Sequence, residues 1–408
     1  MRENPSPTNA CEDADGPQAW RIVWASQAVT GVTFGSAYAF SAVFPDLSAE
    51  FGASRGEVAL VFSIAAFLFY GVGAVAGPLA DRSTPRRLIL AGLAAMILGL
   101  LGASQATSLT MLYLCYGAGA GFGVGLSYVP SVGAVQSWFI AKRSKASGVA
   151  SAGLALGTLI LPFAVGSAVP HIGWRGCFIL LAAAIAAVGL PAAFFIRKRR
   201  EAVSADSSAR GPYPTPLRLW RIPAFRRYYA LMALASFCTL IPYVHMVPAA
   251  RDLGLSVEDG AALIGLIGVG SFFGRFTLAG LGDRVGPTRM LALLLFAVAG
   301  SFLIWAAAGG MVSLSLFAVT FGMSYGGCVG LYPAVAVGLF GTRDVGATLG
   351  YLYSSVGFAA LLGPTLTGFV FDQTGSYLTP ILFSAAASVV AGLMTLRLRH
   401  DAKAAQSS

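Results

Sequence analysis

Apolar residues in this chain come in long runs separated by short charged segments. A bilayer's hydrocarbon is crossed by about 20 apolar residues, in a range of about 17 to 25. Measured against that length, runs fall at about 20–44, 57–79, 87–104, 109–137, 146–168 and 176–196. A polar segment rich in proline, serine and arginine follows from Arg197 to Arg227. It reads as a flexible linker with one interfacial helix near Leu217–Trp220. Further runs fall at about 226–247, 259–282, 289–309, 312–340, 346–371 and 377–397. The pattern predicts an all-α integral membrane protein with twelve transmembrane helices in two pseudo-symmetric six-helix bundles. The bundles are expected at residues 20–196 and 226–397, with a linker at 197–225 and tails at 1–19 and 398–408. The first nineteen residues are polar and partly acidic, without the basic-then-apolar layout of a cleaved signal peptide. Insertion is therefore expected to rely on the first membrane helix.

Composition supports this reading. Charged residues make up 11% of the chain, against roughly 25% in a soluble domain. Hydrophobic residues make up 56%, and mean hydropathy is +0.74. Such a chain cannot cover itself with a water-facing surface, so lipid must be its solvent. The 50 glycines lie largely inside apolar runs, where small residues let membrane helices approach closely.

A net charge of +10 raises the question of nucleic acid, but the charges sit in clusters between apolar runs and form no continuous basic face. They read as a topology signal instead. With both termini in the cytoplasm, only Arg55, Arg175 and Arg251 fall on the external side and Arg275 within a span. The rest of the 27 Lys+Arg residues are then cytoplasmic, as the positive-inside rule demands. The expected location is the plasma or inner membrane. Of the five cysteines, Cys11 lies in the polar tail and Cys115, Cys177, Cys238 and Cys328 in apolar runs. No pair has metal-ligand spacing, so neither a metal, a cofactor nor a disulfide framework is expected.

The two halves repeat one another. Tyr116 to Pro130 reads Tyr-Gly-Ala-Gly-Ala-Gly-Phe-Gly-Val-Gly-Leu-Ser-Tyr-Val-Pro, and Phe321 to Pro333 reads Phe-Gly-Met-Ser-Tyr-Gly-Gly-Cys-Val-Gly-Leu-Tyr-Pro. Arg143 precedes a small-residue helix ending near Pro162, as Arg343 precedes one ending near Pro364. Asp81-Arg82 returns as Asp283-Arg284. All the offsets are near 200 residues, and three matches in register point to duplication, which commonly puts a substrate site at the repeat interface near the bilayer midplane.

The loop Gly77-Pro-Leu-Ala-Asp81-Arg82-Ser-Thr-Pro-Arg86-Arg87 resembles the signature loop of the major facilitator superfamily, and Gly280-Leu-Gly-Asp283-Arg284-Val-Gly286-Pro-Thr-Arg289 resembles its second copy. The resemblance implies a conformational latch at Gly77, Asp81, Arg82, Arg86, Gly280, Asp283 and Arg284. In it a small residue lets helices touch while a carboxylate holds an arginine or a helix N-terminus. Pro85 and Pro287 depart from the pattern. Two narrower stretches, Trp138 to Gly153 with its Lys142-Arg143 pair and Gly270-Ser-Phe-Phe-Gly274-Arg275-Phe, resemble the monocarboxylate transporter family and its bacterial oxalate/formate antiporter relatives. In those families an arginine at this place binds the substrate carboxylate.

Arg275 is the most informative residue. It lies roughly 12 Å from its helix end at 1.5 Å per residue, where a guanidinium costs at least about 2.5–3.5 kcal/mol. Gly268, Ser271, Arg275 and Gly282 share one small, polar helix face. None of the 17 acidic residues falls in the middle of a span. Either backbone carbonyls satisfy this arginine or an anionic substrate does, and the missing carboxylate favours the substrate. Tyr38, Tyr116, Tyr128, Tyr243, Tyr325, Tyr332, Tyr351 and Tyr353 are candidate cavity phenols, with Tyr116, Tyr332 and Tyr351 preferred from the repeated helix and a Tyr/Ser cluster. His245 either carries a proton in a symport cycle or is a capped or interfacial residue ahead of Pro248.

These readings converge on a secondary transporter of small monocarboxylates of the lactate or pyruvate kind, working by alternating access with protons as a candidate coupling ion. The alternatives are an oxalate/formate-type anion antiporter and an efflux pump for apolar compounds. The family's first-helix lysine and its acidic residue one turn before the arginine are replaced here by the Tyr38-Ala-Phe-Ser-Ala region and Ser271, and the antiporters' second cation by Ser354-Ser355-Val356-Gly357. A single cation suits a monoanion. An enzyme is not expected, since no His, Asp or Cys cluster sits at an interface, and without a nucleotide-binding loop ATP is not expected as a partner. The expected partners are a small organic anion and the lipid bilayer.

Overall fold

The computed structural model describes residues 15–82, 84–139, 143–197, 216–340 and 345–406. Of the sequence expectations, Cys11, Lys142, Arg343 and most of the tail and linker lie outside these residues, as do the side chains of Asp81, Arg82, Arg143 and Asp283. The fold is all-helical, with 91% helix and no strands among the described residues. There, ten helices are long and apolar enough to cross a bilayer. One of them, Ala152–Phe195, holds two spans, and the first span comes from Pro17–Tyr38 continued by Phe40–Phe51. The architecture is that of twelve spans.

Local chemistry explains where the helices break. The fifth and sixth spans form one helical run, Arg143–Ala184, interrupted at Gly173 with φ 64° and ψ 172°. That left-handed backbone carries a steric penalty for any residue with a Cβ. The sixth span then finishes through Ile185–Gly189 and Leu190–Phe195. The first span bends at Ala39, and the seventh, Pro223–Thr239 continued by Ile241–Asp252, bends at Leu240. These bends fall about 200 residues apart, in register with the sequence duplication. Pro216–Trp220 forms the short linker helix.

The remaining spans are the second, Arg55–Arg82, the third, Pro85–Ser104, and the fourth, which runs from Leu109–Leu112 through a wide turn at Tyr113–Ala118 into Gly119–Trp138. The second half continues with Val257–Val285, Pro287–Ala306, Met311–Phe340, Val345–Thr374 and Leu378–Gln406 as the eighth to twelfth. A capping box opens the eighth span: the Asp259 amide donates to Ser256 Oγ at 3.0 Å and the Ser256 amide to Asp259 Oδ2 at 3.1 Å.

Within the first half the first span packs on the fifth and the second on the fourth; within the second half the eighth packs on the tenth and the seventh on the eleventh. The halves meet where the second span lies on the eleventh, the fifth on the eighth and the first on the seventh. Among the described residues, the hydrogen bonds joining the halves gather at the end that carries Arg55. Arg55 forms a two-pronged pair with Asp252, with bonds of 2.7 and 2.6 Å, and donates to the Tyr377 hydroxyl at 2.8 Å. The amides of Arg55 and Gly56 donate to Asp372 at 2.8 and 3.0 Å. Ser41 donates to the Val244 carbonyl at 3.0 Å. A cavity of about 360 Å³ lies at this end, lined by Phe44, Ser48, Arg55, Arg251 and Asp252 among others.

Candidate functional site

Arg275 faces the seam between the halves because of its helix register. On the same face two turns earlier, a Cβ at Gly268 would stand 3.0 Å from the Ala155 carbonyl on the fifth span. One helix over, the eighth span is drawn tightly against the tenth: a Cβ at Gly270 would stand 2.6 Å from the Val319 carbonyl. Only a residue without that carbon permits the approach. The Arg275 guanidinium is therefore held on a rigid element, half-buried, with its Nε buried and without a hydrogen-bond partner. No acidic side chain among the described residues pairs with it; the ion pairs there are Arg55–Asp252 and Arg175–Glu50.

Phenols from both halves lie near it. Tyr38, Tyr243, Tyr325 and Tyr353 are all within electrostatic reach of the guanidinium. The rings form a connected layer. Tyr38 stacks on Tyr243 at 4.4 Å, Tyr243 meets Tyr325 edge-on at 6.2 Å, and Tyr70 stacks on Tyr353 at 6.4 Å. Tyr128 lies edge-on to Phe34 at 5.2 Å, and Phe69 packs on Tyr70 at 4.1 Å. Tyr70, Tyr128, Tyr325 and Tyr353 are half-buried, whereas Tyr38 and Tyr243 are buried. The arrangement offers one fixed cation, several hydroxyl donors and apolar ring faces. It can bind a carboxylate while packing that group's carbon skeleton.

The residues preferred from sequence are placed differently. The Tyr116 hydroxyl donates to the Ala37 carbonyl at 2.9 Å, beside the bend of the first span, and its ring is buried between Phe40 and Phe178. That commitment makes it a brace of the helix bend. Tyr332 is buried in a cluster of the second half, and its carbonyl accepts from the Tyr228 hydroxyl at 2.9 Å. Tyr351 is half-buried against the same cluster, its carbonyl accepting from Ser354 at 2.7 Å. Ser271 is buried with an unpartnered hydroxyl one turn from Arg275, against the tenth span at Gly326. His245 is buried and fully engaged: Nε2 lies 2.8 Å from the Pro364 carbonyl and Nδ1 lies 3.1 Å from the Tyr377 hydroxyl.

Of the expected latch, the Arg86 guanidinium donates to the Phe194 carbonyl and lies over its ring, tying the third span to the sixth inside one half. Arg284 is exposed and a Cβ at Gly280 would meet open space. Gly77, Asp81, Arg82 and Asp283 lie outside the described side chains. The polar junction that sequence reasoning passed over is the one at Arg55. A signal was present: Arg55, Arg175 and Arg251 depart from the charge bias on the side where Asp46, Glu50, Glu57, Asp252, Glu258, Asp259 and Asp372 gather.

Known proteins agree with this architecture. The sequence pattern of the Major Facilitator Superfamily matches residues 28–346. Monocarboxylate transporter 13 of Bos taurus is 28% identical over 391 residues, covering 95% of this chain and 91% of that protein. Monocarboxylate transporter 4 of Mus musculus is 28% identical over 392 residues, covering 94% and 83%. The aspyridones efflux protein apdF of Emericella nidulans is 27% identical over 389 residues, covering 93% and 77%. Among solved structures, a bacterial homolog of the human lysosomal transporter Spinster, inward-facing and occupied, superposes with a TM-score of 0.73 at 17% identity, covering 95% of this chain and 97% of that one. The chain belongs to the major facilitator superfamily: it is a multi-pass membrane transporter and not an enzyme.

Proposed function

We propose that this member of the superfamily carries small monocarboxylate anions by alternating access, with the carboxylate completing an ion pair at Arg275. The observation that carries the proposal is the unpaired guanidinium at the seam, with phenols of both halves within electrostatic reach. An unpaired guanidinium at this depth is costly, and a carboxylate removes that cost with a two-pronged bond. The similarity to monocarboxylate transporters supports the same cargo class.

In this reading residues 20–196 and 226–397 rock as two bundles about the seam. The Lys/Arg bias supports a topology with both termini and the linker in the cytoplasm and the Arg55 end outside, and we take the membrane to be the plasma or inner membrane. The bonds of Arg55 then close the external end. Asp81 and Arg82, with Asp283 and Arg284, remain the proposed latch at the opposite end. The layer of aromatic rings and the similarity to an efflux protein favour one second reading, efflux of apolar compounds.

Uptake of labelled lactate, pyruvate, formate and oxalate into proteoliposomes tests the proposal. Lactate or pyruvate is expected to be carried and Arg275→Ala to abolish uptake. Intact uptake in Arg275→Ala overturns the site, and oxalate competing as well as lactate overturns the preference for a monoanion.

A further inference from the structure

We infer that His245 is a proton-operated switch for the Arg55 end, because the Tyr377 hydroxyl that joins it to Arg55 can donate only to a neutral imidazole. The inference rests on the alternating-access reading, but not on the identity of the cargo.

The tautomer follows from the partners. A carbonyl oxygen can only accept, so the nitrogen 2.8 Å from Pro364, Nε2, carries the hydrogen. In a neutral ring Nδ1 is then an acceptor, and the Tyr377 hydroxyl 3.1 Å away donates to it. The same hydroxyl oxygen accepts from Arg55 Nη1 at 2.8 Å. The bonds thus run from a buried histidine of the second half, through one phenol, to the arginine that pins the first half to Asp252.

A proton added at Nδ1 reverses this order. The imidazolium becomes a donor at both nitrogens, so the hydrogen of Tyr377 loses its acceptor. A positive ring also then stands one phenol away from the Arg55 guanidinium. The titratable and charged groups facing His245 are Tyr377 just ahead of the twelfth span, Arg55 at the start of the second and Asp372 at the end of the eleventh; Asp252, at the end of its own span, is joined to it through Arg55. The first span contributes the apolar Phe44 ring at 5.7 Å. Asp252 spends both oxygens on Arg55, and Asp372 spends both on the amides of Arg55 and Gly56. Neither forms a direct ion pair with the ring, and the pull of Asp372 on an imidazolium is opposed by the Arg55 guanidinium.

Protonated His245 therefore favours separation at the Arg55 end, and neutral His245 favours closure. Since the closed state leaves His245 0% exposed, a proton enters from that side only as the halves part.

The test is the distance between spin labels at Ala49 on the first span and Leu253 just beyond the seventh, both exposed at the Arg55 end. It is measured on the full chain in nanodiscs, in a background with the native cysteines replaced by alanine. Between about pH 7.5 and 5.5 the separated population is expected to rise about threefold or more in the parent protein, a range centred near an ordinary histidine's titration. In His245→Gln, which retains a donor for the Pro364 carbonyl but does not titrate, the response is expected to vanish. Tyr377→Phe is expected to lose it as well and decides the matter should His245→Gln not fold. A response that survives in a folded variant, or that the parent protein lacks, overturns the inference. Arg275→Ala should keep the full pH response, so a failure of the cargo assignment is distinguishable from a failure here.

Discussion

The ring of Tyr38 on the first span stacks on that of Tyr243 on the seventh, with centroids 4.4 Å apart and planes 26° from parallel. The contact joins the two halves beside Arg275, which both phenols reach electrostatically. A bound anion there touches the seam that must part.

Tyr243→Phe keeps the ring and removes the hydroxyl. A neutral hydrogen bond is worth about 0.5–1.5 kcal/mol, so KM should rise about two- to tenfold with the maximal rate little changed. Initial-rate uptake over a range of lactate concentrations checks this, and an unchanged KM would remove Tyr243 from the site.

Arg275→Lys preserves charge but loses the planar fork that holds both carboxylate oxygens. Uptake at low substrate should fall about tenfold or more, as expected for losing a charge-assisted bond of about 1.5–3 kcal/mol. Export of apolar compounds that is indifferent to this change would instead favour the efflux reading.

Asp252→Asn weakens the two-pronged pair with Arg55, whose side chain is 22% exposed beside a carboxylate side chain 38% exposed. A pair so open to water contributes at most about 1 kcal/mol, so the separated population at that end should grow by up to about fivefold. The alkylation rate of Ser48→Cys, a position lining the cavity there, should increase accordingly.

Gly270→Val drives a side chain into the Val319 carbonyl and the Met323 amide, 2.6 and 2.9 Å from the Cβ position. Overpacking of this kind typically costs about 1–3 kcal/mol. The detergent-solubilised protein should melt at a lower temperature, and transport should fall because Arg275 rides on the displaced helix. A variant with unchanged melting would show that the eighth and tenth spans have room to part.

Much of the fold could be read from the chain alone, because a bilayer imposes one length and one polarity on every span. The duplication was visible in Tyr116–Pro130 against Phe321–Pro333, and Arg275 stood out because an ionised group among apolar residues needs a partner and none of the acids lies mid-span. Sequence did not show which tyrosines belong with it. Helical spacing assigns a residue to a face but not to the neighbour that face meets, and Tyr116, Tyr243 and Tyr353 look alike in an apolar run. Tertiary packing separates them: the bend at Ala39 puts the Ala37 carbonyl beside the Tyr116 hydroxyl, while the seam brings Tyr38, Tyr243, Tyr325 and Tyr353 within electrostatic reach of Arg275. The junction of Arg55 with Asp252, Asp372 and Tyr377 joins residues up to 322 positions apart. Sequence thus determined the spans, the repeat and the lone cation; only the packing of one half on the other decided which groups face that cation and which hold the halves together.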